Sequence, residues 1–207
     1  MDREIDKWIR YPPPSAPLES LAFKLLAQVT PTFVLDCGAG NGRFSLQLAK
    51  NIQNVRVISL DMNKRMVEKI KERVKLYNLI EKIQIVLADM QYLPFKERQF
   101  DAVLNVGNLW YVPNYTRVCS EMIRVSRGIL ILEHINLINP KNLILWILHF
   151  LKYLIFAVLG KSTYPLYYRT PKQIFRPFVD LSFKIYNGAR FRLLSERFLL
   201  YVSKYKR

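Results

Sequence analysis

At 207 residues, 51% of them hydrophobic and 23% charged, the chain has the size and apolar content of one compact domain, which excludes a disordered chain, and it carries no repeat or low-complexity tract. Its formal net charge of +16 is unevenly placed: residues 141–207 carry thirteen Lys or Arg against Asp180 and Glu196, and residues 1–140 carry nineteen basic and fourteen acidic residues, so the two parts contribute +11 and +5. A basic third of this kind favours a polyanion or an anionic membrane surface, with a merely solvated surface as the plain alternative.

The chain opens with charges of alternating sign, Asp2, Arg3, Glu4, Asp6 and Lys7. That is the pattern of neither a signal nor a transit peptide, so a cytoplasmic protein is expected, peripheral to the membrane if the basic third meets lipid. Pro12, Pro13 and Pro14 extend the next segment, which leads into a helix over about residues 17–28. Tyr11 in this segment either folds over a ligand or packs on the sheet. Residues 33–37 form a short apolar run bounded by turn residues, a buried strand. A helix follows over residues 42–51 and a second strand, rich in Val and Ile, over 54–60. Residues 64–77 place Met66, Val67, Ile70 and Val74 at helical spacing with charges opposite. Strands are predicted at 82–88, 100–106 and 128–133, with a helix at 114–125 between the last two.

Strand and helix in strict turn predict a doubly wound, Rossmann-like α/β fold: a mostly parallel sheet with helices on both faces. After the fifth strand the character changes. Residues 143–159 are almost wholly apolar, and a turn-rich stretch follows at 160–165. Thr170, Pro171 and Gln173 have the spacing of a helix start. Alternating patterns at 181–186 and 197–203 predict two more strands, for a seven-stranded sheet with an antiparallel strand near its C-terminal edge. One domain is expected, made of a cap segment (1–29), a cofactor-binding core (30–135), an apolar substrate cover (136–178) and a C-terminal strand pair (179–207). Cys37 and Cys119 lack any C-x-x-C or Cys/His ligand spacing, so both are expected as reduced core thiols and no metal site is expected.

The first strand ends in Asp36 and runs into Cys37-Gly38-Ala39-Gly40-Asn41-Gly42. Glycines let the backbone pass close to a ligand, because positive φ costs them little and no Cβ intervenes. The dinucleotide fingerprint G-x-G-x-x-G needs a further glycine where this chain has Arg43; here the third glycine arrives one residue early, at Gly42. In open α/β sheets ligands bind beyond the carboxyl ends of strands. The second strand ends at Asp61-Met62, where a carboxylate can accept hydrogen bonds from both ribose hydroxyls. The third ends at Asp89-Met90, followed by Leu93-Pro94-Phe95 and Phe100-Asp101.

This series resembles the class I S-adenosylmethionine-dependent methyltransferases, and within them the type 11, ubiquinone/menaquinone-methylase-like group. The resemblance covers about residues 30–135. It implies that Asp36, Gly38, Ala39, Gly40 and Gly42 hold the methionine end of S-adenosylmethionine, Asp61 the ribose, and Asp89 with the Met90 backbone the adenine, with Met62 against the adenine ring. Acids at three strand ends suit a cofactor that carries a sulfonium and an amino group, and they would repel a pyrophosphate. For each acid taken alone, a helix cap or a solvated turn is the competing reading. One departure stands out: where the family commonly carries Pro-Gly-Gly before the fifth strand, this chain reads Val125-Ser126-Arg127-Gly128, expected as a trimmed turn.

Methyl transfer is an in-line displacement at an activated carbon, so the protein supplies alignment and, where needed, a base. Candidates lie after strands four and five. Asn105 is expected to contact the cofactor and to take part in catalysis, as is Tyr111 in catalysis; Asn108, Trp110 and Glu133 are further candidates for substrate contacts. His134 is the candidate general base, since its pKa range suits proton removal from a hydroxyl or an enol; a histidine that only hydrogen-bonds in the loop is the alternative. His149, inside an apolar helix, is expected as a packed or interfacial residue. The stretch Asn105-Val106-Gly107-Asn108 lacks the Pro-Pro-aromatic of amino-base methylases, and neither cysteine stands in a nucleophile motif for cytosine C5. That leaves oxygen or carbon methylation, or a nitrogen outside the amino-base motif; methylation of an oxygen or carbon of a hydrophobic small molecule or a lipid-linked acceptor is the expected reading. A helix over 143–159 would extend about 25 Å, short of a hydrocarbon core of about 30 Å; it is read as a substrate cover, a membrane-facing surface or a homodimer interface. The second reading is an RNA methyltransferase that guides phosphates with Lys172, Arg176, Lys184, Arg190, Arg192 and Arg197 past Tyr186, Phe191 and Phe198. The third is a non-catalytic binding protein that keeps the fold.

Overall fold

The computed structural model describes residues 17–135 and, beyond them, 143–144, 147–148, 150–152, 155, 158–159, 167, 169, 171–178, 180–187 and 197–203. The proline segment with Tyr11, the turn at 160–165 and His149 lie outside these residues.

Helix α1 (Pro17–Val29) leads into β1 (Phe33–Cys37), α2 (Arg43–Asn51), β2 (Arg56–Asp61), α3 (Lys64–Leu76) and β3 (Ile83–Leu87). Strand β4 (Phe100–Asn105), a 3-10 turn (Leu109–Tyr111), α4 (Tyr115–Val125) and β5 (Ser126–Ile135) follow. A short helix α5 (Pro171–Phe175), a 3-10 turn (Arg176–Phe178), β6 (Ser182–Asn187) and β7 (Arg197–Ser203) complete the described elements. The strands form one sheet in the order β3-β2-β1-β4-β5-β7-β6. The pairs among β1 to β5 are parallel, and β7 runs antiparallel between β5 and β6.

Alternate strand residues face opposite sides of a sheet, and the core divides accordingly. Val34, Val57, Ala102, Leu104, Ile129 and Ile131 pack with Ala22 and Leu26 of α1, Leu48 of α2 and Ile70 of α3. Leu35, Ile58, Leu60, Val103, Leu130 and Leu132 pack with Val118, Met122 and Val125 of α4 and with Phe178. Cys37 and Cys119 are free thiols buried in this second layer, and burial pushes the Cys119 thiol up to about 12.

Three local devices fix the sheet beneath the site. Asp101 Oδ2 accepts from Thr32 N, Thr32 Oγ1 and Phe33 N at 2.8–3.0 Å, and its Oδ1 accepts from Arg127 Nε at 2.7 Å. Burial alone would raise this carboxyl, but those hydrogen bonds outweigh it and hold Asp101 below its ordinary value. The Leu93-Pro94-Phe95 stretch is held from behind: Glu121 accepts from Leu93 N at 3.0 Å, and Arg124 donates to the carbonyls of Leu93 and Phe95 at 3.0 and 2.7 Å. The connection into β5 differs from the expected trimmed turn. Helix α4 ends at Val125 and β5 begins at Ser126, and the pairing shifts from Phe100↔Ser126 to Ala102↔Ile129, a β-bulge. Gly128 makes this geometry available, since a Cβ there would collide with the Asp101 carbonyl.

Candidate functional site at the carboxyl ends of β1, β2 and β4

Strand β1 delivers its chain into a loop with Gly38, Gly40 and Gly42 at φ of 70°, 57° and 76°. A Cβ at Gly38 would collide with the Asn108 amide, and one at Gly42 would lie 3.0 Å from Ile70 Cγ1. The loop is thus pressed between α3 and the segment after β4. Backbone bonds tie it to β2, with Gly38 N and Ala39 N both donating to Leu60 O at 2.7 and 2.9 Å.

Beneath the loop lies a buried polar chain. Asp36 and Ser59 are register partners on adjacent strands, so their side chains share one face. Ser45, in the first turn of α2, bridges them: Ser59 Oγ donates to Ser45 Oγ, which donates to Asp36 Oδ2, each at 2.6 Å. All three residues are buried. Desolvation raises Asp36 from 3.8 to about 6 against the lowering effect of the Ser45 bond. Asp61, next along the same face of β2, accepts from Gly40 N and Asn63 N at 2.8 Å each. Burial raises its carboxyl too, and bonds from Asn63, Gly40 and Met62 oppose that rise. Asp36 therefore supports the loop from below, and Asp61 joins the loop to β2.

At the third strand end, Asp89 accepts from Gln91 N and Gln91 Nε2 at 2.8 and 3.0 Å. Met62, the residue after Asp61, is 67% exposed, an apolar side chain left uncovered at the second strand end. Asn105 closes β4 fully buried; its Nδ2 donates to Cys37 O at 2.8 Å and lies 3.5 Å from Met90 Sδ. Asn108 Nδ2 donates to Gly38 O at 2.5 Å. Both amide orientations are fixed, because a carbonyl can only accept. Each Oδ1 is consequently aimed elsewhere, and both are buried without a hydrogen-bond partner. Two such acceptors beside a glycine cradle suit a ligand that brings N–H donors, since a buried acceptor without a donor costs about 1–3 kcal/mol. The ammonium and adenine amino groups of S-adenosylmethionine meet that demand. The residues present fit this cofactor.

Tyr111 sits on the 3-10 turn after β4, 37% exposed, its ring tilted against the buried Trp110 at 6.1 Å. Glu133 is buried near the end of β5, and a Cβ on Gly107 would come within 3.7 Å of its Oε2. His134 pairs with Phe198 across β5 and β7; its side chain lies outside the described residues, as do those of Lys184, Tyr186, Arg190, Phe191, Arg192, Arg197 and Phe198. Among the described residues no cluster of His, Cys, Asp or Glu has the make-up of a metal site.

The residues beyond the apolar stretch are locked onto this turn by contacts with no sequence-local signal. Tyr167 N donates to Trp110 O at 2.7 Å. The Arg169 guanidinium donates to the carbonyls of Leu109, Val112, Pro113 and Tyr167, and lies 4.8 Å from the centre of the Tyr115 ring. Burial lowers the Arg169 pKa, opposed by Tyr115, Cys119 and Tyr167. Tyr115 OH donates to Ile174 O at 3.1 Å, which fastens α5 to α4. Ser45 and Ser59 also escaped the sequence reading, although a lone serine within the apolar run of β2 is the kind of break that marks an inward polar contact.

Comparison with known proteins agrees with this geometry. Residues 34–128 match the family described as a methyltransferase domain. The chain is 32% identical over 106 residues to a demethylmenaquinone methyltransferase of Lactobacillus johnsonii, covering 51% of this chain and 43% of that protein. It is 29% identical over 98 residues to a ubiquinone/menaquinone biosynthesis C-methyltransferase of Rickettsia prowazekii, covering 45% and 40%. The chain thus spans about two fifths of the length of these curated relatives. Magnesium protoporphyrin IX methyltransferase from Synechocystis, solved with bound SAH, superposes with a TM-score of 0.71 over 98% of this chain and 93% of that one at 17% identity, a likeness of fold.

Proposed function

We propose, from the match of residues 34–128 to a methyltransferase domain and from the relatives named for menaquinone and ubiquinone methylation, that this class I S-adenosylmethionine-dependent methyltransferase acts on an oxygen or carbon of a hydrophobic, quinone-type small molecule. The observation that carries the cofactor half of this reading is the pair of buried, unpaired acceptors, Asn105 Oδ1 and Asn108 Oδ1, beside the glycine loop. When bound, S-adenosylmethionine supplies a methyl group on a sulfonium that makes the carbon electrophilic. The chain's own residues align and shelter it. Asn105 and Asn108 accept N–H donors of the cofactor. Asp61 takes the ribose hydroxyls, and Met62 with the Asp89–Met90 corner receives the adenine. The Asp36–Ser45–Ser59 chain keeps the loop in place.

The acceptor half rests on the relatives named for menaquinone and ubiquinone methylation and on the apolar stretch that follows β5. Tyr111, partly exposed on the turn that Arg169 clamps, is our candidate for contact with the acceptor. His134, at the end of β5, is the candidate base for an acidic hydroxyl or enol. The test is incubation with methyl-labelled cofactor and separate lipid-quinone, RNA and water-soluble fractions. Label in the quinone fraction is the expected result; label in RNA alone would transfer the activity to the basic residues of the C-terminal third. Loss of transfer in His134→Ala with cofactor affinity unchanged supports the base, and full turnover removes it.

A further inference from the structure

Between residues 143 and 158 the described residues are helical, and Leu159, in the turn that follows, donates its N–H to Ile155 O at 3.0 Å. Nine large hydrophobic side chains in this stretch are exposed; Ile144, Leu148, Ile155 and Leu159 lie between 57% and 59%, and Val158 reaches 87%. Projected on a regular helix at about 100° per residue, the nine positions fall within one half of the circumference, with exposed Lys152 at its border. An apolar face of this extent requires a cover, since single exposed hydrophobic residues are ordinary but contiguous ones are not. Among the described residues no helix is long and apolar enough to cross a membrane. A helix over 143–159 would extend about 25 Å, short of a hydrocarbon core of about 30 Å, so the face suits lying on a cover rather than passing through one.

We infer that this helical face docks on an anionic lipid surface. Charge selects that cover over a second copy of the chain. The segment belongs to the third of the molecule with a net charge of +11, and Lys152, Lys172 and Arg176 are exposed in it. Two copies meeting there would bring like charge to like. An anionic bilayer offers hydrocarbon to the apolar half of the helix and phosphate to Lys152 at its border and to Lys172 and Arg176 beyond it, the arrangement of an interfacial amphipathic helix. The stretch is followed by Tyr167 and Arg169, which are bonded to the turn after β4. Docking would thus set the strand-end site close to the lipid that dissolves a quinone-type acceptor. This last consequence rests on the proposed function; the docking itself does not.

Flotation of the full chain with phosphatidylcholine vesicles, with and without phosphatidylglycerol, tests the inference without requiring turnover. The chain is expected to float with the anionic vesicles at low salt and to be released by high salt. Ile144→Ser, Leu148→Ser and Ile155→Ser combined should weaken flotation by roughly tenfold or more, with cofactor binding and helix content unchanged because these side chains are exposed. Should that variant fail to fold, Lys152→Glu carries the test through a loss on anionic vesicles. A wild-type chain that stays in solution with both vesicle types would overturn the inference. So would a concentration-dependent dimer dissolved by the triple substitution. Flotation without methyl transfer would overturn the proposed acceptor and leave the docking surface standing.

Discussion

The strand-end site and the apolar stretch after β5 solve opposite problems. Around the glycine loop, polar groups are buried and paired: Asp36 with Ser45, Ser45 with Ser59, Asp61 with Gly40 and Asn63. Only Asn105 Oδ1 and Asn108 Oδ1 remain without partners among the buried side-chain atoms described. Between residues 143 and 159 the situation inverts, with apolar side chains exposed. The first region is a preformed cradle that leaves two acceptors for a polar, cationic ligand. The second leaves apolar surface to be covered. Under the two proposals, cofactor binding and lipid docking rest on different physical forces, hydrogen bonding in the one and hydrophobic burial in the other, and substitutions should separate them.

The largest separation is expected at Gly38. Gly38→Ala forces a side chain into positive φ and against Asn108, and should lower cofactor affinity by roughly a hundredfold, while vesicle flotation through the apolar face persists. Calorimetric titration with the cofactor measures the first effect. Next is the pH dependence of stability. The folded value of Asp36, about 6, lies above its ordinary 3.8, chiefly through desolvation. Folding therefore takes up a proton between these values: the contribution is complete below about pH 4 and is lost as pH rises through about 6, on the order of 3 kcal/mol. Denaturant melts across this window should show the slope, and Asp36→Asn should flatten it.

Asn108→Ala removes one unpaired acceptor and the bond to Gly38 O; cofactor affinity should fall by about tenfold, with the acceptor's KM unchanged at saturating cofactor. The smallest effect on the cofactor is expected at Arg169. Arg169→Gln leaves carbonyls of the turn after β4 short of a donor, which should cost about 1–3 kcal/mol of stability. It should raise the acceptor's KM and leave cofactor affinity unaltered. An equal loss of both affinities would erase the distinction between the two regions.

The strand-end residues were legible because their signal is local. Asp36, Asp61 and Asp89 each follow an apolar run, and the glycines carry the turn in their own sequence. The position of β5 was less legible: its pairing with β7 and the bulge opposite Phe100 extend it from Ser126 to Ile135, beyond the apolar core of the run. Contacts far apart in sequence gave no signal at all. Arg169 meets Leu109 sixty residues away, and Asn105 meets Cys37 across sixty-eight. Likewise the apolar pattern of 143–159 allowed a buried lid, and only the fold exposes that face.

The most direct test compares S-adenosylhomocysteine with 5′-methylthioadenosine, which keeps the adenosine but lacks the amino acid end. If Asn108, bonded to the glycine loop, waits for the cofactor's ammonium group, the wild-type chain should bind S-adenosylhomocysteine roughly a hundredfold more tightly, and Asn108→Ala should narrow that gap. Equal affinity for the two compounds, or a gap untouched by Asn108→Ala, would contradict the account.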